Sequence, residues 1–361
     1  MIGTVRTMST LDALVSQRRV AADLNQRVSD AAKETSTGMK SDVFRALGLR
    51  ASEALALRAG MARNEAFITS NEMLEKRLEL TALTLRQARD TAQGFLDIAV
   101  SNVAEPTQTA GELQRAAQLA LDRLTSQLNA TFRGVPLFAG TNSGQLPLQQ
   151  WGAAHPITGL SPQDVLTSTI GAGLVDEADA TAKVARLADI FSSDPGVFPE
   201  EERFERSFFN GTPRLSGAGT PEPRVTARID EATVLVHGVQ VNDPAMTDLL
   251  RGLSMFAAMD VTQISDPEAY RVWAGAAVSA LSSGVSGAIE TEARLGSQQL
   301  TVSQTLTMQR DRHTLFNSQV LTLEGVDPYE SATRLTQLQT QLEATYAVTA
   351  RLSRLSFLNF M

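Results

Sequence analysis

From Ala274 to Leu323 the apolar positions recur every third and fourth residue. Leu281, Val285, Ala288, Leu295, Val302, Leu306, Phe316, Val320 and Leu323 lie on one line, with Glu292, Gln299, Gln309 and His313 filling its remaining layers. No proline interrupts the run. A helix of about 50 residues is roughly 75 Å long at 1.5 Å per residue. A strict seven-residue repeat also calls for another helix alongside. The pattern therefore predicts an elongated helical rod. Its four polar layers either fix register or face a neighbouring subunit, and the residues alone leave both readings open.

The other segments read as partners of that rod. Ser9 with Asp12 resembles a capping box, and Leu14, Leu24 and Val28 form a thin seam behind it, diluted by Gln17, Ala21, Ala31 and Thr35. Gly38 is a natural stop. Residues 44–70 read as alanine-rich helix, and Leu74, Leu78, Leu85, Ala88, Ala92, Phe95 and Ala99 restore the 4-3 spacing. Pro106 breaks it, and Thr109 with Glu112 suggests a new start, so two long helices fold back as a hairpin that continues to Phe132. At the other end Asp327-Pro328 starts a last helix carrying Leu335, Leu338, Leu342, Leu352 and Leu355.

Between the two helical parts the character changes. Ten of the thirteen prolines lie from Pro136 to Pro244. Ser161-Pro162 and the run Val184, Leu187, Ala188, Phe191 predict short helices, and 225–241 alternates as strands. Asp243-Pro244 and Asp266-Pro267 restart helix. The expected fold is thus mainly α: an elongated antiparallel helical bundle or coiled coil built from both chain ends, with a mixed α/β middle. Residues 1–40 and 327–361 form a terminal coiled-coil domain, 41–140 and 244–326 a helical rod, and 141–243 an outward-facing insertion. A linker replacing residues 143–199 is expected to leave the rest intact.

Composition narrows the function. The net charge of −8, with no Lys/Arg block, argues against nucleic acid. The absence of cysteine excludes disulfides, zinc-thiolate sites and thiol nucleophiles. Residues 1–10 show no apolar stretch after Arg6, so no cleavable secretion signal is expected, and no uncharged apolar run is expected to reach the 18 residues of a membrane span. His155, His237 and His313 are scattered, and the phosphate-loop, nucleophile-elbow, dinucleotide and zinc-protease motifs are missing. No catalytic residue, cofactor or metal site is expected.

Three stretches resemble the flagellin superfamily and, within it, its hook–filament junction branch. They are Ser36-Thr37-Gly38 after the first helix, Leu137-Phe138-Ala139-Gly140-Thr141 at the exit of the hairpin, and the last helix from Asp327 to Leu358. Ser41-Asp42-Val43 departs from the family's paired aspartates and proline. The aromatic ending Phe357-Leu358-Asn359-Phe360-Met361 differs from the usual flagellin terminus. The resemblance implies a secreted, non-enzymatic protein of the extracellular flagellum. It implies export by the flagellar type III apparatus, and as partners further copies of the chain, hook-associated protein 1, flagellin and an export chaperone. A divergent flagellin, or another secreted coiled-coil assembly protein, is the alternative. The terminal seams, with Leu14, Leu24, Val28, Leu335, Leu338, Leu342, Leu352 and Leu355, are the expected assembly interface. They are expected to stay unfolded until neighbours cover them. Leu137 and Phe138 are expected to be tucked into the helical body.

Overall fold

The computed structural model describes the backbone of residues 10–102, 106–197, 199–260 and 263–358, and side chains over 15–101, 110–197, 199–260 and 263–351. Long helices come from both ends of the chain, with a few small strands between them. Two compact units divide it: residues 1–68 with 308–361, and residues 69–307. The boundary falls inside two long helices, α3 (Ala51–Asn102) and α9 (Pro267–Glu324).

The first unit contains α1 (Thr10–Thr37), α2 (Val43–Leu47), the first part of α3, the last part of α9, and α10 (Pro328–Leu358). Here α3 and α9 run antiparallel. Asn64 Nδ2 donates to the Gln309 carbonyl at 2.7 Å, and the Phe316 ring lies 3.4 Å from where a Cβ on Gly60 would be. The sequence reads 44–70 as one helix. Instead Gly48, at φ +56°, ends α2, and a 3-10 turn over 48–50 restarts the chain as α3. A φ of that sign suits glycine and would strain most other residues.

The second unit holds the main core. Helices α4 (Pro106–Leu128) and α8 (Pro244–Ala258) pack with the remaining parts of α3 and α9. Phe95 of α3 meets Phe256 of α8 edge-on at 5.3 Å, and Gln118 Nε2 of α4 donates to the Ala257 carbonyl at 3.0 Å. Against α8, helix α9 comes close enough to require small residues. A Cβ on Gly252 would lie 2.7 Å from the Ala277 carbonyl, and one on Gly284 would lie 2.7 Å from the Leu249 amide nitrogen.

Two boundaries differ from the sequence reading. Pro106 is the first residue of α4 rather than its interruption, so Thr109 lies inside the helix and does not cap it. Proline fits the first turn because its missing N–H has no partner there. The helix ends at Leu128, and Thr131–Phe132 (β1) pairs with Val135–Pro136 (β2). The two-residue turn between them has φ +53° at Arg133 and +82° at Gly134, the mirror-image turn that matches strand twist.

In the middle, α5 (Pro162–Ile170) carries a complete Ser161–Asp164 capping box, and α6 (Glu177–Phe191) is capped by Asp176. Both pack on α8. Phe191 lies 5.2 Å from Phe204 of the short helix α7 (Phe204–Ser207) and 5.0 Å from Phe208. Strands β3 (Thr226–Arg228) and β4 (Val234–Val236) form a ribbon, with Ala227 opposite Leu235 on its inner face. Residues 143–199 are therefore built into the core of this unit. Buried Leu166, Ile170, Leu187, Ile190 and Phe191 overturn the expectation that a linker could replace them harmlessly.

One further expectation fails. Helix α9 does contain an 18-residue window of mean hydropathy 1.4, enough by length and composition to cross a membrane. Residues 272–289 carry no charge because alanine, glycine and serine dominate them. Trp273, Ala274, Ala277, Ala280 and Leu281 are buried within the unit, and the Trp273 indole donates to the Met255 carbonyl at 3.0 Å. That is how a core helix behaves.

Candidate assembly surface

In the first unit α1 and α10 lie side by side and antiparallel. Asn25 Nδ2 donates to the Tyr346 hydroxyl at 2.7 Å, and Arg334 Nη1 stands 3.7 Å from Glu34 Oε2. Their mutual coverage is thin. On α10, over residues 328–351, Ser331 is buried and Leu335, Leu338, Leu342, Thr345 and Thr349 are half-buried, while every other position is exposed. On α1, Ala31 is buried; Gln17, Ala21, Leu24, Val28 and Thr35 are half-buried. Val20 and Val348 stand 52% and 51% exposed. The seam residues do face one another, but apart from Ala31 and Ser331 the pair of helices leaves each of them part-exposed. Leu14, Leu352 and Leu355, and the Ser9–Asp12 cap, lie outside the residues whose side chains are described.

The Ser36-Thr37-Gly38 stretch closes this pair onto the rest of its unit. Thr37 Oγ1 donates to the Lys33 carbonyl at 2.8 Å, and Gly38 turns the chain at φ +68°. Met39 then bridges Gly325 in antiparallel register, flanked by Lys40 N to the Glu324 carbonyl at 2.8 Å and Val326 N to the Gly38 carbonyl at 3.0 Å. The Lys40 ammonium donates to the Leu323 carbonyl at 2.8 Å, capping the C-terminal end of α9 with charge of the favourable sign. Glu324 is fully buried and paired with Arg58. Asp327 accepts from Tyr329 N at 2.8 Å and so starts α10.

The Leu137-Phe138-Ala139-Gly140 stretch occupies a different place, in the second unit. Leu137, Phe138 and Ala139 are buried. Their backbone is pinned on both sides, with Val241 N donating to the Phe138 carbonyl at 3.1 Å and Thr212 N to the Ala139 carbonyl at 2.9 Å. Gly140 has φ +72°, and a Cβ there would sit 2.2 Å from the Gln240 amide. Beyond it Thr212 Oγ1 accepts from the amides of Thr141 and Asn142, and Glu205 Oε1 accepts from Asn242 Nδ2 at 2.6 Å and Arg214 N at 2.9 Å. The stretch is a junction where three loops lock together.

The polar layers of α9 find different partners. In the second unit Glu292 Oε2 pairs with Arg89 of α3 at 2.8 Å. In the first, Gln309 is buried and His313 half-buried. Of the other histidines, His237 is 5% exposed, and burial, then the neighbouring Arg77 charge, pushes its pKa down to about 4. Burial likewise lowers that of His155, whose Nδ1 accepts from Ile157 N at 3.2 Å. Both are neutral structural groups. Among the described residues no three His, Cys, Asp or Glu side chains gather as metal ligands.

Sequence reasoning passed over the turn after α2. Phe44 and Leu49 are 68% and 99% exposed there. Gly48, inside an otherwise alanine-rich helical pattern, was the available signal for a break.

The bacterial flagellin N-terminal helical region matches residues 8–143, and the flagellin C-terminal helical region matches residues 280–361. No individual curated protein matches the chain. The two matched regions include both terminal helices, the Met39–Gly325 bridge and the buried stretch at Phe138. With them, the chain belongs to the flagellin superfamily, as a structural, self-assembling component of the extracellular bacterial flagellum.

Proposed function

We infer that this chain is the hook–filament junction component: a short ring or tube of copies assembled on hook-associated protein 1, with flagellin added above it. Export by the flagellar type III apparatus, escorted by a chaperone, belongs to the same reading. The observation that carries it is the Leu137-Phe138-Ala139-Gly140 stretch, the junction branch's signature, which is buried and held by backbone bonds from both sides. Assembly proceeds through the terminal seams, whose leucines have one covered and one open side. Neighbouring copies supply the missing coverage, and contacts that do not close propagate as a helix.

Residues 141–243 face outward in this assembly. They carry fourteen acidic against seven basic side chains, a net −7 of the chain's −8. That charge keeps neighbouring surfaces apart and soluble. The test is immunogold labelling of isolated flagella. The reading expects gold at one point between hook and filament. Gold along the whole filament would make the chain a divergent flagellin instead, and no gold would remove it from the structure altogether.

A further inference from the structure

The turn joining α2 to α3 places its largest apolar side chain wholly in solvent. Gly48 turns the backbone at φ +56°, and Leu49 after it is 99% exposed. None of the described residues covers it. Beside it lies a groove of about 540 Å³ whose walls include Asp30, Asp42, Ala51, Ala54, Leu55 and Glu324. Ala51 and Ala54 are buried in it, while Leu55 and Phe44, 59% and 68% exposed, give it an open apolar strip among polar neighbours. Its carboxylates, Asp30, Asp42 and Glu324, outnumber its cations, Arg45 and Arg58. Arg58 is already paired with Glu324, whose other carboxylate oxygen has no donor. Next to Leu49 stands Arg50, an exposed cation with a loose 3.4 Å contact to Glu53. A fully exposed leucine flanked by arginine matches an apolar groove with an acidic excess.

We propose that the turn Gly48-Leu49-Arg50 of one copy docks into this groove of a second copy. Leu49 lies against Ala51, Ala54 and Leu55, and Arg50 offsets the acidic rim. The proposal rests on the self-assembly reading and adds to it a contact separate from the terminal seams. If only one knob of each pair of copies is seated, the contact is heterologous and repeats from copy to copy.

Because Leu49 is 99% exposed among the described residues, replacing it tests docking without disturbing the fold. In seeded assembly of the full-length chain, Leu49→Asp is expected to raise the critical concentration about tenfold or more, the scale set by losing one buried leucine. Its melting temperature stays that of the wild type, and Leu49→Met assembles nearly normally. Assembly of Leu49→Asp at the wild-type concentration overturns the proposal. So does a lowered melting temperature, which would give the turn a structural role. The chain has no cysteine, so a second test is clean. Leu49→Cys and Leu55→Cys variants, mixed in the assembled state and oxidised, are expected to give a disulfide-linked dimer at least fivefold above either variant alone. Equal cross-linking of one variant with itself, or none in assembled mixtures, overturns the docking. A Leu338→Asp control separates the two ideas. If that change leaves assembly untouched, the terminal-seam reading fails whatever Leu49 does.

Discussion

Two phenylalanines, removed by the same substitution, should give opposite results. Phe138 is 0% exposed and sits where the backbone is held by Val241 and Thr212. Truncating a buried phenylalanine to alanine costs about 3–5 kcal/mol, because transfer energy is lost and the cavity cannot fully collapse. The neighbouring loops are tied by hydrogen bonds, so Phe138→Ala belongs in the upper part of that range. Against a total stability of roughly 5–15 kcal/mol, that is about a quarter or more. For a unit of this size, about 2–4 °C of melting temperature per kcal/mol makes the drop roughly 8–20 °C. Both tryptophans, Trp151 and Trp273, lie within residues 69–307, so their fluorescence reports unfolding of that unit. Phe44, 68% exposed, should change stability by no more than about 0.5 kcal/mol when truncated. Its effect belongs in assembly. A loss within about 0.5 kcal/mol for Phe138→Ala would show that the stretch is not part of the core, and would remove the physical basis for reading it as a structural junction.

The other expectations follow from packing and burial. Gly284→Ala gains up to about 1 kcal/mol of helix propensity but forces a Cβ to 2.7 Å from the Leu249 backbone, and overpacking costs about 1–3 kcal/mol, so denaturant titration should show net destabilisation. Gly275→Ala, with open space at the same atom, should instead stabilise by about 0.5–1 kcal/mol. The buried neutral His237 has a folded pKa of about 4, below its unfolded value of about 6.5. Its unfolded form therefore binds the proton first, and stability should fall as pH drops from about 6.5 toward 4, by up to roughly 3 kcal/mol. His237→Gln should flatten that decline in urea titrations across pH. Excising residues 143–199 strips α5 and α6 from α8 and leaves Phe204 and Phe208 bare, so the cooperative fluorescence transition should be lost. A deletion protein melting like the wild type would restore the view of this region as detachable.

What the sequence reveals follows from which forces are local. The α9 seam was legible because a seven-residue repeat is a local signal, and Leu281, Val285, Ala288, Leu295, Val302 and Leu306 are all buried. The helix starts at Ser161, Asp243, Asp266 and Asp327 were legible because a cap or proline acts within one turn. The break at Pro106 was legible, but Thr109 with Glu112 misled because the proline already begins the next helix three residues earlier. The close approach of α8 to α9 was not legible, since Gly252 and Gly284 carry no side chain to pattern. The integration of 143–199 was equally hidden. Phe191, Phe204 and Phe208 meet only after the chain folds, and nothing in their spacing says so. Leu14, Leu24 and Val28 stand apart from these cases. Their weak seam was visible in the sequence, and the half-burial of Leu24 and Val28 gives that weakness a geometry.

The central claim is that the terminal helices complete their burial only against other copies. Fixing each residue's backbone costs roughly 1–2 kcal/mol, while burying most of a leucine returns about 1–2.5 kcal/mol. Leu24, Val28, Leu335, Leu338 and Leu342 offset only a few of the residues ordered in α1 and α10, so these helices are expected not to pair stably alone. Amide hydrogen exchange, read by mass spectrometry on dilute monomer and on assembled material, tests this directly. The account predicts that residues 10–37 and 328–358 exchange within seconds in the monomer, while 69–307 is protected. In the assembled state the terminal segments should slow by at least about a hundredfold. Slow exchange of both terminal segments in dilute monomer, unchanged on assembly, would mean the pair is stable without partners and would contradict the claim.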